Sequence, residues 1–305
     1  MKKYLFQLCI LLSTIAIIDV SLGHLFKYWH GKITSGDIGK ANYIANYANE
    51  DVLIFGSSRA ELHYNPTIFT DSLGLSSYNC GAKGMGSVVA WARLSMILER
   101  HVPKIVILDV LPGVDIYESD KYVYLGALKT YYDKHGIHEI FDDIDKNEKY
   151  KMLCQTYRYN SIFNTYMKDL FHPFSQISKP DSLYGFRPQE GKIDPELIVL
   201  NKEYQPQKVD SVKLKYLNRF IETAKNTLFV VVISPFWTGM DSKELAPIKE
   251  LCKKNNVPFF DFSNDKKYKF NNELFMDRAH LNTKGANEFT KDLIIKLRPI
   301  LHQKQ

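Results

Sequence analysis

Asp51-Val-Leu-Ile-Phe-Gly-Ser-Ser-Arg59 sets four apolar residues against a turn of small and polar ones. A short apolar run of branched and aromatic residues that stops at a glycine is the pattern of a strand buried on both faces, and such strands belong to parallel sheets. Outward from it the pattern repeats. Ser76-Ser-Tyr-Asn79 closes on Gly81, Lys104-Ile-Val-Ile-Leu-Asp-Val110 forms a third run, and apolar residues from Val88 to Leu98 recur at helical spacing between them. Further on, an amphipathic helix over Val212 to Ala224 precedes Leu228-Phe-Val-Val-Val-Ile-Ser234, the most apolar strand of the chain. A helix over Ser242 to Lys254, the strand Val257-Pro-Phe-Phe-Asp261 and a helix over Gly285 to Leu297 complete the series. Strands alternating with helices predict an α/β fold: a three-layer α/β/α sandwich on a doubly wound parallel sheet, with its site at the carboxyl ends of the strands.

The rhythm breaks between about 113 and 206. This stretch is rich in Tyr, Lys and Asp, and Tyr122 to His135, Ile137 to Thr156 and Tyr159 to Phe171 read as short helices before a loop containing Pro and Gly. A connection this long inside a compact domain reads as a cap or insertion beside the active site, or as surface decoration.

At the N-terminus Lys2 and Lys3 precede an apolar run from Tyr4 to Ile18, and Asp19 brings the next charge. As a helix, positions 4 to 23 span about 30 Å, one bilayer core. Basic residues ahead of the run keep the N-terminus in the cytoplasm and send the rest across. Residues 1–29 therefore read as a membrane anchor or signal segment, 30–50 as a polar linker and 51–305 as the catalytic domain. Ser21-Leu22-Gly23 offers a cleavage-like spacing, while Leu22, Leu25, Phe26, Tyr28 and Trp29 continue the apolar pattern past it and favour an uncleaved anchor.

The 305 residues are 45% hydrophobic and 24% charged, proportions that exclude a disordered, collagenous or coiled-coil chain. The net charge of +6 is spread along the chain without a basic block, and gives no case for nucleic acid. Cys9, Cys80, Cys154 and Cys252 have no spacing that suits zinc, and free thiols are expected.

Three segments carry chemistry. Gly56-Ser57-Ser58-Arg59 follows the first strand, where a serine hydroxyl and its own amide stand exposed at the strand end. Asn79-Cys-Gly81-Ala-Lys-Gly84-Met-Gly86 lets backbone approach a ligand closely and opens a helix whose amides can face developing negative charge. Asp277-Arg-Ala-His280-Leu-Asn282-Thr-Lys-Gly285 spaces a carboxylate to hold one imidazole nitrogen while the other faces outward as a base. Each alone is an ordinary turn. Of the nine histidines only His280 has a motif around it; His63, His135, His138 and His172 read as surface or core residues.

Together these segments resemble the SGNH (GDSL-like) hydrolase superfamily, over roughly residues 50–112 and 226–298. In particular they resemble its envelope branch, which has Gly-Ser-Ser or Gly-Thr-Ser in place of Gly-Asp-Ser. That branch includes membrane-anchored polysaccharide O-acetyltransferases and the D-alanyl transfer protein of teichoic acid synthesis. The resemblance implies a flavodoxin-like fold, Ser58 as nucleophile, His280 as general base, Asp277 as its orienting partner, and the amides of Ser58 and Gly84 as oxyanion donors. Arg59 and Asn79 are candidates for substrate contact, Arg59 to an anionic group or else in a salt bridge that fixes the turn. The family's Gly-x-Asn-Asp block is replaced by Leu108-Asp109-Val-Leu-Pro-Gly113-Val-Asp115, which supplies no asparagine as third donor.

What the resemblance implies is an extracytoplasmic serine esterase or O-acyltransferase, at the bacterial cell membrane or secreted after cleavage. It would act on envelope or secreted glycan esters without metal or cofactor, and could work with a multipass membrane partner that delivers an acyl donor. The alternative is a non-catalytic glycan-binding or assembly module of an envelope complex.

Overall fold

The computed structural model describes residues 1–164, 167, 183–197, 208–224 and 227–303. Five parallel strands form one sheet: β1 Val52–Phe55, β2 Ser77–Asn79, β3 Ile105–Asp109, β4 Leu228–Ile233 and β5 Phe259–Asp261, in the order β2-β1-β3-β4-β5. Val52 pairs with Ser77 on one side and Ile105 on the other, and Asp109 pairs with Val232. The chain leaves β1 towards one edge and returns past it to the other, so the winding reverses between β1 and β3. In an open α/β sheet that reversal leaves a crevice at the carboxyl ends of the two strands.

Alternation along the strands makes the layers. Val52, Ile54, Ile105, Ile107, Val230 and Val232 pack with Tyr64 and Phe69 and with Phe289, Leu293 and Leu297 of the helix Thr283–Gln303. On the opposite face the Phe55 ring lies 5.3 Å from that of Phe220, which in turn is 5.5 Å from Phe229. Phe220 belongs to the helix Ser211–Thr223, and the helix Ser87–Leu98 beside it sets Trp91 5.1 Å from Tyr216. The three-layer α/β/α sandwich read from the sequence is thus the fold observed. The expected helix over Ser242 to Lys254 begins later, at Ala246, where Pro247 sits in the first turn. The last helix runs from Thr283 through Pro299 to Gln303 rather than over Gly285 to Leu297.

The chain divides into two compact units, 1–43 with 121–180 and 44–120 with 181–305. In the first, one helix runs Lys2–Lys32, and Gly36–Asn46, within the stretch read as a linker, is helical. No part of the most apolar window of the first helix is buried, which fits a single-pass anchor or a signal sequence. From Asp19 onward the helix does pack. Its carboxylate accepts the amides of Gln155 (2.6 Å) and Thr156 (3.0 Å), and the Phe26 ring lies 6.1 Å from Tyr159 and 5.9 Å from Phe163. A Cβ on Gly23 would stand 2.3 Å from Cβ of Gln155, so only glycine permits this approach.

The insertion's first residues are helical, as read, but in shorter pieces: Tyr122–Leu128, Ile137–Ile144, Glu148–Lys151 and 3-10 turns at Lys129–Tyr131 and Thr156–Ile162. The expected segment Tyr159 to Phe171 runs beyond the described residues. The four cysteines are free; Cys80 and Cys252 are buried, Cys9 and Cys154 exposed.

Candidate active site

The site is built on the turn after β1. Gly56 has φ +141°, and a Cβ there would stand 2.5 Å from the Asp109 carbonyl oxygen, so the ends of β1 and β3 close together only over glycine. Ser57 caps the helix Ser58–His63, which opens with Ser58. The Ala82 amide donates to the Gly56 carbonyl (3.0 Å) and the Cys80 amide to that of Ile54 (2.7 Å), which brings the turn after β2 beside the serine turn. Gly84 sits in that second turn with φ +73°. Neither the Ser58 nor the Gly84 amide meets an acceptor among the described residues.

The third segment completes the constellation from 222 residues away: Ser58 Oγ lies 2.9 Å from His280 Nε2. His280 Nδ1 lies 2.8 Å from Asp277 Oδ2, and the other oxygen of Asp277 accepts the amides of Ala279 (2.7 Å) and His280 (2.9 Å). A carboxylate can only accept, so Nδ1 donates and Nε2 is left to accept the serine hydroxyl. Burial pushes the Asp277 carboxyl up, but the bonds from the His280 ring and from the two amides outweigh it and hold the group below its ordinary range. The same motif fastens its own loop. Asn282 donates to the carbonyls of Gly191 and Glu273 (2.9 Å each) and accepts the Gly285 amide (3.0 Å), and a Cβ on Gly285 would stand 2.1 Å from the Leu274 carbonyl oxygen.

Two candidates for substrate contact are corrected. Asn79 is buried; its side chain donates to the carbonyls of Ala60 (2.7 Å) and Tyr64 (2.8 Å) and accepts the Gly81 amide (2.9 Å). All three bonds go to main chain, which clamps the helix after Ser58 to the turn after β2. Arg59 is 0% exposed. Its guanidinium donates to the Ser234 carbonyl, to Ser234 Oγ (2.7 Å) and to the Pro235 carbonyl (3.1 Å), and stacks 3.8 Å from the Phe236 ring centroid. Burial pulls its pKa down, while Asp109, Tyr64 and Asp115 nearby oppose the shift. Neither side chain is available to a ligand.

Beneath the constellation lies a buried polar layer that motif reading missed. His63 Nε2 accepts the Leu281 amide (3.0 Å), so its Nδ1 donates to Ser234 Oγ (2.9 Å). Burial first, then the charges of Arg59 and His280, hold His63 well below the usual histidine range and keep it neutral. Tyr64 donates to Asp109 (2.5 Å), and burial pushes both groups up. Asp109 is thereby held within the core. Asp115 Oδ2 takes the Leu111 amide (2.7 Å), while its Oδ1 is buried without a partner among the described residues. Only the position of His63, one helix turn and a half beyond Ser58, hinted that it could reach the site.

Fold and site together define a doubly wound α/β protein with a Ser-His-Asp constellation at its switch point. No family model and no curated protein matches the chain. Among solved structures, the crystal structure of a candidate acylhydrolase from Bacteroides fragilis is similar at a TM-score of 0.36 and 12% identity, over 84% of this chain and 94% of that one.

Proposed function

We propose that the protein is a membrane-anchored serine acyl-transfer enzyme of SGNH type, acting outside the cytoplasm on ester groups of envelope or secreted glycan. The observation that carries this reading is the unbroken chain of bonds from Ser58 Oγ through His280 to Asp277, at 2.9 Å and 2.8 Å. His280 Nε2 takes the Ser58 proton as Oγ attacks the ester carbonyl carbon. The oxyanion is met by the amides of Ser58 and Gly84, and Asp277 stabilises the imidazolium. Collapse breaks the bond to the leaving alcohol, which receives the proton from His280 and leaves an acyl-Ser58 ester. Water or a sugar hydroxyl then gives its proton to His280 and attacks the same carbonyl, and as the bond to Oγ breaks His280 returns the proton to Ser58. Esterase and O-acyltransferase share the first half and differ only in the second nucleophile. Lys2 and Lys3 ahead of the apolar helix support the outward orientation. The anchor also suits docking of a multipass partner that supplies acyl groups.

The test is to treat the full chain in detergent with a fluorophosphonate probe and with p-nitrophenyl acetate, beside Ser58→Ala and His280→Ala. Labelling and turnover lost in both variants support the reading, and added glycan acceptors then separate transfer from hydrolysis. A folded wild-type chain that neither labels nor turns over the ester, or labelling that survives Ser58→Ala, sinks the assignment in favour of a binding module.

A further inference from the structure

The first unit places a charge where an anchor ought to be apolar. A spanning helix needs about 20 residues to cross roughly 30 Å of hydrocarbon. The apolar run that opens at Tyr4 reaches Asp19 after only 15 residues, about 22 Å along the helix at 1.5 Å per residue. Asp19 therefore lies short of the far edge of the membrane, where a carboxylate is costly unless it is supplied with donors. Among the described residues its donors come from one turn of the insertion: the amides of Gln155 (2.6 Å) and Thr156 (3.0 Å), the Thr156 hydroxyl (2.6 Å) and the Cys154 thiol (3.0 Å). Gly23, a helical turn further on, admits Gln155 to its backbone and locks the turn at this height.

This turn presents outward Leu153, 75% exposed, and Tyr150, 64% exposed, together with the exposed Cys154 and Lys151, whose ammonium pairs with Glu148 (2.6 Å). Lys146 and Lys149 are exposed beside them, with the Lys149 ammonium 5.3 Å from the Tyr150 ring centroid. An apolar tip, an aromatic with a polar end and a lysine collar make the composition of a membrane interface. The exposed Val20, Leu22 and Leu25 of the helix lie at the same level.

We infer that the turn from Tyr150 to Thr156 dips into the outer leaflet beside the helix, so that lipid covers Leu153 and Tyr150 while the turn supplies the donors that Asp19 requires. The protein is then held by two contacts with the bilayer, and the insertion is seated on the membrane. This rests on the reading of residues 4–23 as a retained anchor.

The test places an environment-sensitive NBD fluorophore on Leu153→Cys, or on His135→Cys as the comparison, in the full chain carrying Cys9→Ser and Cys154→Ser. His135 is exposed and close in sequence to Tyr131, whose hydroxyl meets His30 (3.3 Å), eleven residues and about 16 Å past Asp19 along the helix. In phosphatidylcholine/phosphatidylglycerol proteoliposomes, lipids with a nitroxide at acyl carbon 5 should quench position 153 at least threefold more than position 135, with a blue-shifted emission. Equal quenching at the two positions of a chain whose intact mass retains residues 1–23 overturns the inference alone; a turn covered by a protein partner instead of lipid gives that result. A mass showing cleavage near Gly23 overturns the anchor reading, and the inference falls with it.

Discussion

His63 accepts the Leu281 amide at 3.0 Å, and Leu281 directly follows His280. The helix that carries Ser58 thereby grips the backbone next to His280. The other ring nitrogen of His63 donates to Ser234 Oγ, which Arg59 also holds. The distance between Ser58 and His280 is therefore set by a buried layer as well as by the motif residues.

Removing the His63 ring orphans the Leu281 amide, which costs about 1–3 kcal/mol when no water replaces it. His63→Ala should lower the unfolding free energy by that amount and reduce kcat for p-nitrophenyl acetate at least tenfold with KM little changed. His63→Gln, whose carbonyl oxygen can accept the same amide, should recover part of kcat. If His63→Ala loses stability but keeps wild-type kcat, the residue serves the core and does not position His280.

The elements that read true from sequence are those whose burial is nearly uniform. Val52–Phe55, Ile105–Asp109 and Leu228–Ile233 are buried at every position, so each shows as an uninterrupted apolar run and the parallel sheet follows. The meeting of Ser58, His280 and Asp277 was legible because Asp277 and His280 lie three residues apart and Ser58 follows a strand. For Arg59 the buried geometry favours the reading that it fixes the turn over contact with an anionic group, since successive helical residues point about 100° apart. With Ser58 turned to the site, Arg59 faces the core. The packing face of the first helix, at Asp19, Gly23, Phe26 and His30, has helical spacing, but two of its four residues are polar and it was hidden within an anchor pattern.

Arg59 supplies a direct check on that correction. Deleting the buried guanidinium leaves the Ser234 and Pro235 carbonyls without their donor, and Arg59→Ala should cost about 3 kcal/mol in urea unfolding. In Arg59→Lys the ratio of KM values for an anionic and a neutral p-nitrophenyl ester should match wild type, since the guanidinium meets no ligand. A selective rise in KM for the anionic ester would restore Arg59 to substrate binding.

Gly56 and Gly84 both have positive φ but differ in surroundings. A Cβ on Gly56 collides with the Asp109 carbonyl oxygen at 2.5 Å and Ala60 Cβ at 2.9 Å, whereas one on Gly84 meets nothing within 4 Å. Gly84→Ala should cost about 1–2 kcal/mol from backbone strain alone; Gly56→Ala should cost roughly 3 kcal/mol, because overpacking adds to the strain. Urea midpoints of the two variants decide the matter, and equal losses would mean that the β1–β3 contact yields freely.

Asp115 gives the fold a pH dependence of definite sign. Burial pushes its carboxyl up to about 7, against the opposing backbone bond from Leu111 and the nearby Ser87 backbone, and Asp109 adds to the rise while Lys213 reduces it. In the unfolded chain the group titrates near 3.8, so the fold favours the protonated acid. Its contribution to stability is complete below about pH 4 and is lost as pH rises to 7, a change on the order of 4 kcal/mol. Asp277, held low, acts in the opposite direction and at lower pH, so the readout is the difference between wild type and Asp115→Asn. Urea unfolding of the two proteins from pH 4.5 to 8, followed by tryptophan fluorescence, should show the variant gaining on wild type steadily up to pH 7 and holding its lead above it. Asp109 is pushed up by burial as well, so the variant retains a loss in the same direction. Parallel pH profiles for the two proteins would mean that Asp115 stays ionised in the fold, with its second oxygen reaching a donor.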